Sequence, residues 1–175
     1  ISDVEIGSVP KGIRIQGGEW FYISNVIIDM CNDKGFIVDP PSGITVRGMQ
    51  IVNLWCGTCS NAGIDVVGFN GYVRDLLFIN PQVRTVSSGQ AIIFEGSVGH
   101  IENVTIIGGL VTGASSNGIR LYGATGVQIQ GMIIKGNGGY GIYENGGADY
   151  NKFIDNYLHD NTNGAIYSVG THTII

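Results

Sequence analysis

One short pattern recurs along the chain at near-constant spacing, and it restricts the possible folds more than any other feature. A small residue, an apolar residue, a free position, an apolar residue, a free position and a turn residue recur with modest variation. They appear as Gly12-Ile-Arg-Ile-Gln-Gly17, Gly35-Phe-Ile-Val-Asp-Pro40, Gly63-Ile-Asp-Val-Val-Gly68, Ala91-Ile-Ile-Phe-Glu-Gly96, Gly118-Ile-Arg-Leu-Tyr-Gly123, Gly141-Ile-Tyr-Glu-Asn-Gly146 and Gly164-Ala-Ile-Tyr-Ser-Val169. Successive starts lie 23, 28, 28, 27, 23 and 23 residues apart. Self-similarity at such a period is the mark of a solenoid, in which each repeat buries its apolar face only against its neighbours.

A second motif runs in phase with the first: Ile1-Ser-Asp-Val4, Ile23-Ser-Asn-Val26, Val46-Arg-Gly-Met49, Val73-Arg-Asp-Leu76, Ile101-Glu-Asn-Val104, Ile129-Gln-Gly-Met132 and Ile154-Asp-Asn-Tyr157. Its Asn, Asp or Gly tolerates the left-handed backbone of a tight corner. Each period therefore holds at least two strands joined at a corner. The 26 isoleucines against 6 leucines and 6 alanines suit strands and not helices. A chain that must return to a point about 4.8 Å above its previous pass, using strands and corners alone, is a parallel β-helix. The expectation is an all-β solenoid of about seven coils with 23–28 residues per coil, one domain over residues 1–175. The longer middle periods place an additional strand or loop at Leu54-Trp55, Gln82-Val83 and Leu110-Val111.

Alternation assigns sides. One inward column reads Ile13, Phe36, Ile64, Ile92, Ile119, Ile142 and Ala165, and the next Ile15, Val38, Val66, Phe94, Leu121, Glu144 and Tyr167. A third follows Val26, Met49, Leu76, Val104, Met132 and Tyr157, and a fourth Ile28, Ile51, Phe78, Ile106, Ile134 and His159. Neither terminus carries a cap, so the chain is expected to be a segment of a longer protein.

These glycine-bounded strands and Asn corners resemble the pectin-lyase-like superfamily of right-handed, single-stranded parallel β-helices, most of all viral tailspike and polysaccharide-depolymerase domains. The resemblance covers essentially the whole chain and implies an extracellular or virion-surface protein that binds or degrades a polysaccharide. A non-catalytic shaft or adhesin is the alternative. By the same analogy calcium is a possible cofactor, though no residue requires one. The Asn-Thr-Asp, Asp-Asp, Gly-His-Gly and Arg-Ile-Lys set of polygalacturonases is absent from the sequence.

Outward positions beside the first two columns place Asp39, Asp65 and Glu95 on successive coils, with Arg120, Tyr122 and Tyr143 above them. Asp65 and Glu95 differ by one coil and two residues, which sets their Cα atoms roughly 8 Å apart. Inverting glycosidases hold their carboxyl groups about 6.5–9.5 Å apart so that a water fits between. Glu95, beside Ile93 and Val67, is the candidate acid and Asp65 the candidate base. Asp39, Arg120, Tyr122 and Tyr143 are the candidate substrate-binding residues. A plain solvated face accounts for the same acids, since outward positions must be polar.

Several features exclude or qualify other functions. A net charge of −5 with 9 Lys and Arg leaves no basic stripe for nucleic acid. No stretch approaches the roughly 18–20 apolar residues of a membrane-spanning helix. Cys56 and Cys59, with Cys31 one coil below, lack a fourth zinc ligand and read as loop cysteines or an incidental disulfide, so no metal site is assigned. Glu144 and His159 break the inward columns, so either Glu144 finds a partner or the strand bends near the end of the chain and releases it to solvent, the bend being the expectation. The run His159-Asp160-Asn161 reads as a corner. Outward Ile27, Leu77, Ile79, Ile107 and Ile133 form an apolar stripe that either the long loops or neighbouring chains must cover, as in a homotrimer.

Overall fold

The computed structural model describes all 175 residues. It contains strands and corners with no helix, wound as a parallel solenoid. Three strands make each coil, and like strands stack into three faces.

The first face holds β2 (Lys11–Ile15), β5 (Lys34–Val38), β8 (Ala62–Gly68), β11 (Gln90–Gly96), β14 (Ile119–Tyr122), β17 (Tyr140–Asn145) and β20 (Gly164–Ser168). The second holds β3 (Gly18–Glu19), β6 (Thr45–Arg47), β9 (Tyr72–Ile79), β12 (Ile101–Ile107), β15 (Gln128–Gln130) and β18 (Lys152–Ile154). The third holds β1 (Ser2–Gly7), β4 (Tyr22–Asp29), β7 (Gln50–Cys56), β10 (Gln82–Val86), β13 (Leu110–Ala114), β16 (Ile133–Lys135) and β19 (Tyr157–His159). Seven passes of the first face enclose six full turns, close to the seven coils expected.

The first inward columns stand as expected up to the sixth pass. Phe36, Ile64, Ile92, Ile119 and Ile142 stack in register, as do Val38, Val66, Phe94, Leu121 and Glu144. Phe78 enters from the second face and packs edge-on against Phe36 and Phe94, each 6.4 Å away. The last pass shifts by one residue. Ile166 lies over Ile142 and Ser168 over Glu144, so Ala165 and Tyr167 turn outward.

The third and fourth columns need correction. Met49, Leu76 and Val104 stack, but Val127 and Asn151 continue that column, while Val26 lies under Leu54. Ile51, Phe78 and Ile106 continue through Ile129 and Phe153. Ile28 belongs with Cys56, and Ile134 with Leu158, while Tyr157 and His159 flank Leu158 on the outward side. The repeated corner motif thus falls on two different corners. Nor are Leu54-Trp55, Gln82-Val83 and Leu110-Val111 additions to the middle coils: they belong to the third face, which runs the whole length. The surplus residues of the middle coils lie instead between the first and second faces. There Ile15 pairs with Val38 and Gly18 with Val46, so one coil spans 39–45 where its predecessor needs only 16 and 17.

The outer corners carry ladders of left-handed residues. Asp3, Asn25, Asn53 and Asn80 have φ between 52° and 54°. Each Asn donates from Nδ2 to the Oδ1 of the residue one coil before it, at 3.0 Å. Trp20, Gly48, Asp75, Asn103, Gly126 and Tyr150 form the second such column, again with positive φ.

Candidate functional site

The outer surface of the first face collects every residue expected to act. Arg14, Ile37, Asp65, Ile93, Arg120, Tyr143 and Tyr167 form its central column, and Glu95, Tyr122 and Asn145 the column beside it. The expected acids are in place along β5, β8 and β11, but each is held by a cation. Asp39 pairs with Arg14 and Asp65 with Lys34, while Glu95 lies 3.9 Å from the Arg120 guanidinium.

Asp65 departs most from expectation. It is fully buried in a column between Ile37 and Ile93, themselves buried, and Lys34 reaches over it from the coil below. Its Oδ1 has no hydrogen-bond partner. Burial raises its pKa above the usual carboxylate value, more than the Lys34 ammonium lowers it, and the neighbouring Glu95 and Asp39 charges add to the rise. Lys34 is itself raised: desolvation pulls it down, and the hydrogen bond and charge of Asp65 outweigh that. The two directions agree on strong mutual attraction. They also show that desolvation of the wholly enclosed carboxylate exceeds it. In this geometry Asp65 has no surface from which to deprotonate a water.

Aromatic residues dominate the later coils. Arg120 lies over the Tyr122 ring at 5.4 Å, and Phe69 flanks that ring at 6.4 Å. Tyr143 stacks on Tyr167 at 4.9 Å and 16°, and on Tyr140 at 5.8 Å and 27°. Asn145 donates to the Tyr143 hydroxyl at 3.3 Å. Tyr140 and Tyr167 were not expected here. Tyr167 joins the ladder only because the last pass slips by one residue.

Glu144 stays inside, contrary to the expected bend, and is partnered. Its carboxylate accepts from Asn151 Nδ2 at 2.5 Å, from Thr173 Oγ1 at 2.7 Å and from Ser168 Oγ. These contacts tie residues 168–173 across the end of the helix, an anchoring role. His159 lies outward with Asp160 on its Nδ1 at 2.7 Å. The cysteines are core residues and not loop residues: Cys31 and Cys59 continue into Val86 in one column, and all three are buried free thiols. Burial raises each, pushing Cys59 up to about 12. No three His, Cys, Asp or Glu side chains are grouped to hold a metal ion.

The apolar stripe resolves into two ladders either side of the Asn corner. Leu77 and Ile79 are half-buried, whereas Ile27, Ile107 and Ile133 remain over 40% exposed, so the chain's own loops do not cover them. Ile27 and Trp55, with Glu5 and Asp29, line a shallow apolar hollow on the third face. A polar cleft of 330 Å³ opens on the second face, bounded by Asn103, Thr105, Gly126, Gln128, Tyr150 and Lys152. Sequence reading did not find it, because its walls come from three coils.

Among solved structures, the chain is similar to the enzymatically active domain of tailspike protein 2 from bacteriophage CBA120, with a TM-score of 0.74 at 15% identity. The alignment covers 99% of this chain and 27% of the tailspike domain, so the chain spans little more than a quarter of that protein. No curated protein matches by sequence. The model of the right-handed β-helix region matches residues 11–175, and with the stacked parallel coils just described it places this chain in the right-handed β-helix family.

Proposed function

We propose that this chain is a tailspike-like, carbohydrate-binding β-helix that holds an extended polysaccharide along the outer surface of its first face. The observation that carries the reading is the stacked run of Tyr140, Tyr143 and Tyr167, continued by Tyr122 and Arg120 on the coil below. Pyranose rings present apolar C–H faces to aromatic rings, and a repeating polymer matches side chains repeated about every 4.8 Å. Arg120 and Asn145 supply donors for hydroxyl or carboxylate groups, and Asp39 completes the polar edge. Similarity to a phage tailspike domain supports an extracellular or virion-surface location. The test is affinity for a panel of linear polysaccharides. Tyr143→Ala and Tyr167→Ala should each weaken binding roughly two- to tenfold, from about 0.5–1.5 kcal/mol per stacked ring. Unchanged affinity in both would refute the reading.

A depolymerase reading has one observation in its favour, the orphaned buried Oδ1 of Asp65 beside Glu95. It requires Lys34 to swing away and admit water. Asp65→Asn and Glu95→Gln should then both abolish chain cleavage, and activity retained in both excludes the pair. The uncovered Ile27 and Ile133 on one side of the Asn corner and Ile107 on the other support packing of three copies side by side, as a shaft or tailspike would. A stable monomer by sedimentation would remove that arrangement.

A further inference from the structure

On the second face, the corner column Trp20, Gly48, Asp75, Asn103, Gly126, Tyr150 projects one side chain per coil, except where glycine leaves a layer empty. The two glycines are treated differently. At Gly48 the indole of Trp20 folds into the vacant layer, and a Cβ there would meet its ring at 2.5 Å. At Gly126 the nearest atoms to such a Cβ belong to Asn103 below, at 3.3 Å, and nothing from Tyr150 comes within 4 Å. Tyr150 turns the other way and lies flat on the His172 imidazole, with centroids 4.5 Å apart and planes 1° from parallel. The empty layer is the 330 Å³ cleft, near the lower end of the roughly 300–1,000 Å³ of small-molecule sites.

The ring is held before any ligand arrives. Asp149 accepts from the Tyr150 backbone N–H at 2.9 Å and from the His172 backbone N–H at 2.8 Å, and its Oδ2 lies 2.8 Å from His172 Nδ1. The back wall is the in-register column Thr105, Gln128, Lys152. Nε2 of Gln128 is taken by Gln130 at 2.9 Å, which leaves its carbonyl free to accept. Asn103 donates to Asp75 and likewise keeps an open acceptor. Glu102 at the rim is neutralised by Arg74 at 3.1 Å, while Lys152 takes part in no ion pair.

We infer that the Gly126 cleft is a binding site for one anionic sugar residue, stacked on Tyr150 and held through its carboxylate or sulfate by Lys152. Hydroxyl groups donate to Asn103 and Gln128 and bond with Thr105. The ligand class rests on the carbohydrate reading above. The position does not, since the cleft opens on the second face and shares no residue with the tyrosine ladder.

Three variants separate the two sites. Gly126→Asn suits the left-handed backbone at φ 66°, extends the ladder from Asn103 and fills the empty layer. Lys152→Gln removes an exposed charge without touching the core, so its folding is not at risk. Tyr143→Ala alters only the first face. Binding of a β-1,4-linked glucuronate tetrasaccharide, a sulfated glucose tetrasaccharide and the neutral glucose tetrasaccharide is measured by titration calorimetry, with circular dichroism as the folding control. The intact chain should bind one or both anionic sugars at least tenfold more tightly than the neutral one, and which of the two it prefers identifies the acid group. Gly126→Asn should abolish the preference for the anionic sugar, Lys152→Gln should bring its affinity to the neutral level, and Tyr143→Ala should weaken charged and neutral sugars alike while the preference remains. A preference lost in Tyr143→Ala but kept in Gly126→Asn overturns this site and leaves the first-face reading intact. Equal affinity for charged and neutral sugars, or no binding of either anionic sugar, also overturns it.

Discussion

Lys34→Met tests how the first face is held together, because it leaves the Asp65 carboxylate enclosed with no counter-charge. Removing one partner of a buried pair costs about 3–5 kcal/mol, since the remaining ion has lost water and gained nothing. Lys34 keeps 28% of its side chain exposed. Some water can therefore follow the truncation, and the expected loss at pH 7 is at the lower end, about 3 kcal/mol. The sign of the pH dependence follows from the raised pKa of Asp65. Below the unfolded carboxylate value both states are protonated and no penalty exists. As pH climbs from the unfolded value to the folded one, the unfolded state gives up its proton while the native state still holds it, so stability falls until both are ionised. Without Lys34 that folded value rises further, so the variant's deficit should be small near pH 4 and full at pH 7. Urea unfolding at both pH values gives the comparison, and Lys34→Met combined with Asp65→Leu should recover most of the loss. A deficit under about 1 kcal/mol at pH 7, or one that does not shrink in acid, would refute the argument.

Other tests reach other parts of the coil. Phe78→Ala removes the ring between Phe36 and Phe94 and should cost about 3–5 kcal/mol by chemical denaturation, since coils locked in register cannot close the cavity. Asn53→Ala places a Cβ-bearing residue without a side-chain amide at φ 53° and breaks two ladder bonds, for about 2–3 kcal/mol, whereas Asn53→Gly should lose less because glycine accepts that backbone. Asp149 is lowered to about 2, chiefly by its hydrogen bonds from the His172 side chain and backbone. Its hold on Thr171 and His172 is thus complete above the ordinary carboxylate pKa and lost as pH falls towards 2, which hydrogen exchange of the His172 amide should show. The three buried thiols should resist a water-soluble disulfide reagent at pH 8 until the chain is unfolded.

Much of this architecture was legible in the amino-acid order. Strand side chains alternate with a period of two, and a solenoid stacks equivalent positions, so β-branched residues recurring with glycine boundaries announce inward columns before any coordinates exist. Phe36, Ile64, Ile92, Ile119 and Ile142 could be aligned that way because each lies in a repeat with its own boundary. The third face could not. Its strands β4 and β7 run through the Asn corner without a break, so one motif straddled two corners and misplaced Met132 and Tyr157.

Three-dimensional packing decided the rest. Whether Asp65 meets water depends on Ile37, Ile93 and Lys34 from neighbouring coils, and alternation reports only which side of its own strand a residue occupies. Tyr167 joined the aromatic ladder through a one-residue shift in register. The cleft at Gly126 exists because Tyr150 turned onto His172 while Trp20 turned into Gly48, a choice between two rotations that no local pattern records. Sequence determined the axis, the columns and the stacking of like on like; side-chain contacts between coils determined which outer surfaces are closed, which are open and what can bind there.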